Sequence, residues 1–152
     1  MSKVIIYVDG GCRGNNKKVN VGGWGAVLEF NGNVKELKGQ ARNTTNNRME
    51  ITAAIEALKA MKSKKYPIIV NTDSAYVCNC INNRWYVKWM QNGWRTSSNK
   101  TVENRELWAE LIELVESFPF ISFVKVKGHS GVPGNERADQ LANEAMDEVD
   151  LG

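Results

Sequence analysis

Five consecutive β-branched or aromatic residues, Val4-Ile5-Ile6-Tyr7-Val8, stopped by Asp9-Gly10-Gly11, constrain this chain more than any other feature. A run without polar alternation suits a strand buried on both faces, with Asp9 at its end. Gly22–Phe30 and Asn33–Gly39 read as a hairpin, because Asn31-Gly32 supplies the two positive-φ positions of a tight turn. Met49, Ala53, Ala57 and Met61, joined by Ile55 and Leu58, trace an apolar helical stripe that ends in the surface run Lys62 to Lys65. Pro67 to Asp73 is a second buried-type strand feeding a helix from Ser74 to about Asn82. Leu107, Leu111, Leu114, Val115 and Phe118 mark an amphipathic helix stopped by Pro119. Phe120 to Lys127 is a fifth strand, and Gly134 to Met146 a closing helix with Ala138, Leu141, Ala142 and Ala145 inward. Antiparallel strands followed by strands alternating with helices predict an α/β fold, a five-stranded mixed sheet flanked by helices.

At 152 residues the chain has one domain's length, long enough to bury a real core. No apolar run is long enough for a membrane span, and the N-terminus does not read as a signal peptide, so no membrane partner is expected. Cys12, Cys78 and Cys80 form no even framework, and on a helix Cys78 and Cys80 point to different faces, which indicates neither a disulfide scaffold nor a zinc site. A reduced, cytoplasmic, monomeric protein is expected. The net charge of +3 says little, but its distribution says more. Arg84, Lys88, Arg95 and Lys100 occupy a stretch with no acidic residue, whereas Glu144 to Asp150 is acidic. That asymmetry favours a polyanion bound on one side.

Four carboxylates stand out, and each has a local explanation. Asp9 could open the glycine-rich turn. Asp73 could cap the following helix, and Glu50, three residues after Asn47, could be the N3 partner of a capping arrangement. Asp139, in the first turns of the last helix, would favour the helix dipole. Taken together they sit at strand ends and helix starts, where open α/β sheets place their sites. Carboxylates converging there repel unless divalent cations lie between them, and hard oxygen donors select Mg²⁺ or Mn²⁺. Two such ions about 4 Å apart can carry out phosphodiester hydrolysis.

Five segments in order match one family: Tyr7-Val8-Asp9-Gly10-Gly11-Cys12, Thr44-Thr45-Asn46-Asn47-Arg48-Met49-Glu50, Thr72-Asp73-Ser74, Val126-Lys127-Gly128-His129-Ser130-Gly131 and Asn135-Glu136-Arg137-Ala138-Asp139. On these residues the chain closely resembles the bacterial type 1 ribonucleases H, from the first strand to the last helix. The resemblance implies a ribonuclease H-like catalytic domain over residues 1–147 and a short acidic tail over 148–152. It implies endonucleolytic hydrolysis of the RNA strand of an RNA/DNA hybrid, leaving 3′-hydroxyl and 5′-phosphate ends. Asp9, Glu50, Asp73 and Asp139 would be the metal-binding catalytic carboxylates, holding two Mg²⁺ ions with Mn²⁺ a possible substitute. His129 would be the loop histidine assisting proton transfer and product release, between Gly128 and the mobile-making Gly131 and Gly134.

Selectivity for RNA needs a reader of the 2′-hydroxyl. Asn15, Asn46 and Asn47, short amides expected on loops near the carboxylates, match family positions that contact the hybrid, as does Cys12. Asparagine is also common in loops for turn reasons alone. Thr45 and Asn104 match the family's pocket for a DNA phosphate, but Asn43 stands where the family has arginine, with Arg42 beside it. Trp85 to Trp89 and Gly93-Trp94-Arg95 resemble the basic protrusion that grips the DNA strand. Trp85 and Trp89, four apart on a helix, favour core packing for at least one of them. Lys88, Trp94 and Arg95 are the expected sugar and phosphate contacts. Met90-Gln91-Asn92 is uncharged where the family is basic, and Ala75 replaces a common glutamine. Lys17-Lys18, in a loop lacking the family's prolines, could compensate. The alternatives are an integrase- or resolvase-like nuclease, which would lack the Thr-Asn-Asn-Arg-Met-Glu and Gly-His-Ser-Gly segments, and a non-catalytic hybrid-binding module, which would tolerate loss of carboxylates.

Overall fold

The computed structural model describes residues 2–14, 20–128 and 130–149. Asn15, Lys17, Lys18, His129 and the last part of the acidic tail therefore lie outside the described residues. The elements in chain order are β1 (Val4–Arg13), β2 (Val21–Phe30), β3 (Asn33–Arg42), α1 (Asn46–Lys59), β4 (Ile68–Thr72), α2 (Ala75–Asn82), α3 (Trp85–Gln91), α4 (Arg105–Glu116), β5 (Ile121–Lys125) and α5 (Pro133–Asp147). The five strands form the expected mixed sheet, in the order β3-β2-β1-β4-β5. The three strands of the meander are antiparallel, and β4 and β5 add in parallel. The hairpin turn is as expected, with Asn31 at φ 49° and Gly32 at φ 81°.

β1 differs from its expected form in two ways. Its even-numbered residues Val4, Ile6 and Val8 are buried in the main core with α1 and α4, but Ile5 and Tyr7 are only half-buried. The reason is the smaller helical cover on the other face, where Ala138 and Leu141 of α5 pack with Val27 and Tyr7. Secondly, the strand does not stop at Asp9-Gly10-Gly11 but runs on to Arg13, because β2 continues to pair with it as far as Val21. β4 does not, and its pairing ends at Val8–Thr72. Asp9 is thus in mid-strand relative to β2 yet just past the end of the β1–β4 ladder.

Smaller differences follow the same logic. β5 is two residues shorter at its C-terminal end than expected, since its pairing with β4 ends at Lys125. Trp108 of α4 is fully buried, and its indole N–H donates to the Tyr76 hydroxyl at 2.9 Å, tying α4 to α2. Cys78 and Cys80 are both buried, because α2 packs against β4 and β5 while its other flank meets the core. Burial pushes the Cys80 thiol up to about 12. Among the described residues the three cysteines are free, and no helix is long and apolar enough to cross a membrane.

Candidate active site

Where β1 loses its β4 neighbour, a cleft of about 470 Å³ opens, and Asp9, Glu50, Asp73 and Asp139 all line it. Each arrives by a different route. Asp9 comes from β1, and Asp73 follows the last residue of β4. Glu50 is brought in by the close approach of α1 to β1, which Gly10 permits: a Cβ there would run into the backbone of Met49 and Glu50. The Gly10 N–H then donates to Glu50 Oε1 at 2.9 Å, and the Thr72 hydroxyl reaches Glu50 Oε2 at 3.4 Å. Asp139 lies in the second turn of α5, where Asn143 Nδ2 donates to its backbone carbonyl at 3.0 Å and to its Oδ1 at 3.4 Å.

For Asp9, Glu50 and Asp73 the local explanations do not hold. Ser74 is the cap of α2, its Oγ accepting from Val77 N at 3.1 Å, so Asp73 is spared that task. Thr45 caps α1 by accepting from Arg48 N at 3.1 Å, which moves the cap two residues before Asn47 and leaves Glu50 outside any capping box. Asp9 opens no turn.

Oxygen atoms of Asp9, Glu50 and Asp73 all lie within 4.8 Å of one another, a spacing that could hold a metal ion. Asp9 and Glu50 are only 8% and 7% exposed. Burial, then the charges of Glu50 and Asp73, hold the Asp9 carboxyl far above the usual carboxylate range, and its contacts with Glu50 and Asp139 raise it further. Burial and the Asp73 charge also raise Glu50, opposed by its hydrogen bonds, among them those from Gly10 and Thr72. So much negative potential in one place is what a divalent cation relieves. With acceptor oxygens and no sulfur ligand in the cluster, the donor set suits a hard ion.

Of the other expected contacts among the described residues, only some line this cleft. Asn46 and Asn47 line it, from the exposed first turn of α1 and not from a loop as expected, since capping by Thr45 starts the helix earlier. Cys12 lines a groove that continues from the cleft along β1. Thr45 and Asn104 are brought together by Arg48, whose backbone N–H bonds Thr45 and whose Nη1 donates to Asn104 Oδ1 at 3.2 Å and pairs with Glu106 at 2.6 Å. Asn43 is exposed at φ 54°. Lys88 and Arg95 are exposed on α3 and the segment after it. Trp94 is half-buried, its ring 6.0 Å from that of Trp89 and 5.9 Å from the Arg105 guanidinium. Trp89 packs on the core, whereas Trp85 is 40% exposed. Sequence reasoning did not assign roles to Arg48 and the Thr72 hydroxyl. Both stood inside the matching segments, and only their partners, distant in the chain, reveal what they do.

The family model described as RNase H matches residues 1–147. The chain belongs to the ribonuclease H family. A curated relative named Ribonuclease H, from Clostridium botulinum (strain Hall), is 48% identical over 99% of this chain and 100% of its own length. Among solved structures, LC9-RNase H1, described as a type 1 RNase H with the type 2 active-site motif, is 32% identical with a TM-score of 0.79, covering 97% of this chain and 73% of that one. The foamy viral protease-reverse transcriptase, solved in complex with an RNA/DNA hybrid, is 23% identical with a TM-score of 0.80, covering 97% of this chain and 20% of that one. At that identity it speaks for the fold alone. The chain is an enzyme with ribonuclease H activity, and neither an integrase-like nuclease nor a non-catalytic module describes it.

Proposed function

We propose that this ribonuclease H hydrolyses the RNA strand of RNA/DNA hybrids endonucleolytically, at a site where Asp9, Glu50, Asp73 and Asp139 hold two Mg²⁺ ions. The observation that carries this reading is the meeting of three carboxylates within 4.8 Å in a chain of this family. Two bound ions would supply activation of a water, clamping of the scissile phosphate and neutralisation of the leaving oxygen. Mn²⁺, with the same preference for oxygen donors, could replace Mg²⁺.

The protein's own groups do the positioning. Gly10 N–H and Thr72 hold Glu50 in one orientation, and Asn143 does the same for Asp139. Asn46 and Asn47 can offer both donors and acceptors to ribose 2′-hydroxyls along the cleft, which distinguishes RNA from DNA. Thr45 and Asn104, linked by Arg48, form the pocket for a phosphate of the DNA strand; there Arg48 supplies the guanidinium that Asn43 lacks. Lys88 and Arg95 meet further phosphates of that strand, with Trp94 beside them, and Cys12 and Asn15 serve the RNA side. His129 assists proton transfer and product release. The protein works as a cytoplasmic monomer, one catalytic domain over 1–147.

The chemistry of the cut ends tests the reading. Attack by water leaves a 3′-hydroxyl and a 5′-phosphate, so the new 5′ ends accept label from a polynucleotide kinase only after phosphatase treatment. Products ending in 2′,3′-cyclic phosphate, formed without added metal, would mean that the RNA's own 2′-hydroxyl is the nucleophile and that the carboxylates do not act as assigned.

A further inference from the structure

The cleft does not end at Asp9. It continues along β1 as a groove of about 200 Å³, with Gly11, Cys12 and Arg13 on one side and Ala142 and Asn143 on the other. Asp9, Gly11 and Arg13 are two apart along a strand and project to the same face. That face is the one α5 covers, because Arg13 Nη2 donates to Asn143 Oδ1 at 2.7 Å and Nη1 pairs with Asp147 Oδ1 at 2.5 Å. Gly11 leaves the space between them bare. A Cβ at Gly11 would meet nothing nearer than Asn46 Oδ1 at 4.0 Å, so no packing demand accounts for the missing side chain and the groove floor stays clear. The β4 side of β1 is open here, since pairing stopped at Val8. Over four residues a strand rises about 13 Å, which separates the acidic end of the groove from Arg13, the cation among its described lining residues, by the span of a couple of nucleotides.

The ion pair at the far end is well suited to exchange. The Arg13 and Asp147 side chains are 43% and 65% exposed, and pairs so exposed add little to stability. A phosphate offers a guanidinium two oxygens in the geometry a carboxylate offers, so it can take Asp147's place while Asn143 keeps the guanidinium aimed along the groove.

Resting on the hybrid-cleaving reading above, we propose that Arg13 binds a phosphate flanking the scissile one on the RNA-containing strand, and that Asp147 is its built-in competitor. The groove then holds one strand at two points, by the carboxylate site and by Arg13, and so helps fix which phosphate reaches the site.

The test uses duplexes in which one strand carries a short ribonucleotide stretch flanked by deoxynucleotides, with single flanking phosphates replaced one at a time by neutral methylphosphonates. Equilibrium binding is measured by fluorescence anisotropy in EDTA, and cleavage in Mg²⁺. For the unaltered protein, one flanking position should weaken binding several-fold and raise KM with little change in kcat. Arg13→Ala should bind the unmodified duplex weakly to the same degree, become insensitive to that one position and lower the slope of log affinity against log salt by roughly 0.7 to 0.9. Arg13→Lys should recover part of the affinity. Asp147→Asn should tighten binding to the unmodified duplex but not to the duplex neutralised at that one position, whereas general loss of a negative charge would tighten both alike. The proposal is overturned if Arg13→Ala senses every linkage as the unaltered protein does, or if Asp147→Asn leaves binding unchanged or weaker or tightens both duplexes alike. Thermal melting of each variant identifies loss of fold; Arg13→Lys and Asp147→Asn then decide the question if Arg13→Ala melts early. If the unmodified duplex binds but is not cut, the hybrid-cleaving reading has failed, while the binding series still judges Arg13.

Discussion

Asp9→Asn should abolish cleavage and at the same time stabilise the metal-free protein. In the fold the Asp9 carboxyl is held far above its unfolded value of 3.8 by burial and by Glu50 and Asp73. Between those two values the folded state binds more protons than the unfolded one, so stability falls as pH rises through that interval. At pH 7 the penalty is limited to that of keeping the side chain protonated, about 1.4 kcal/mol for each of roughly three pH units, or a ceiling of about 4 kcal/mol. An asparagine of the same shape removes the titration but must still lose its own hydration, which leaves a gain of about 1–2 kcal/mol. For a chain of this length that is a rise in melting temperature of about 2–8 °C. Differential scanning fluorimetry in EDTA at pH 8, 7 and 4 measures it. The gain should be largest at pH 8 and much smaller at pH 4, close to the unfolded value of 3.8, where a large share of the unfolded chains also carry the proton. Adding Mg²⁺ should stabilise the unaltered protein more than the variant. An Asp9→Asn protein that melts lower than the parent at pH 8 in EDTA would refute the argument that these carboxylates repel one another.

Other perturbations separate positioning from chemistry. His129→Ala should slow turnover while leaving measurable activity and nearly unchanged hybrid affinity; complete loss of activity with metal binding intact would give His129 a larger role. Replacing Lys88 and Arg95 together by Ala should raise KM similarly for hybrids of unrelated sequence and lower the salt slope by roughly 0.7 to 0.9 for each phosphate no longer neutralised, and an unchanged slope would remove α3 from the substrate path. Trp94→Ala should chiefly lower the melting temperature, since its ring packs between Trp89 and Arg105; an unchanged melting temperature with raised KM would instead place it on the substrate. Gly10→Ala should force α1 away from β1 and reduce kcat more than KM, because Glu50 moves with the helix; wild-type kcat would contradict that coupling.

Much of the fold is legible in local pattern. The Asn31-Gly32 turn, the apolar stripe of α1 and the run Ile68-Ile69-Val70 are each governed by a few adjacent residues, and the elements follow. Boundaries that depend on a partner strand are not legible in this way. Nothing within Asp9-Gly10-Gly11 indicates that β2 will pair with it out to Arg13 while β4 stops at Val8. The same holds for caps, since Thr45 and Asn47 are equally plausible N-caps by residue type and only the bond to Arg48 N decides between them. At the site, residue types and their order within matching segments mark Asp9, Glu50, Asp73 and Asp139 as candidates. Their convergence is a property of the sheet order and of the close α1–β1 contact at Gly10. Arg13 lies outside every matching segment, and its place in the groove emerges only once α5 supplies Asn143 and Asp147.

The most direct measurement is cleavage of end-labelled RNA/DNA hybrid, RNA duplex and DNA duplex of one sequence, each with Mg²⁺ and with EDTA. The proposed carboxylate site, 2′-hydroxyl readers and DNA-strand phosphate pocket together require that only the RNA strand of the hybrid be cut, and only with the divalent ion. Cleavage that persists in EDTA, or that falls equally on the DNA duplex, would contradict the account.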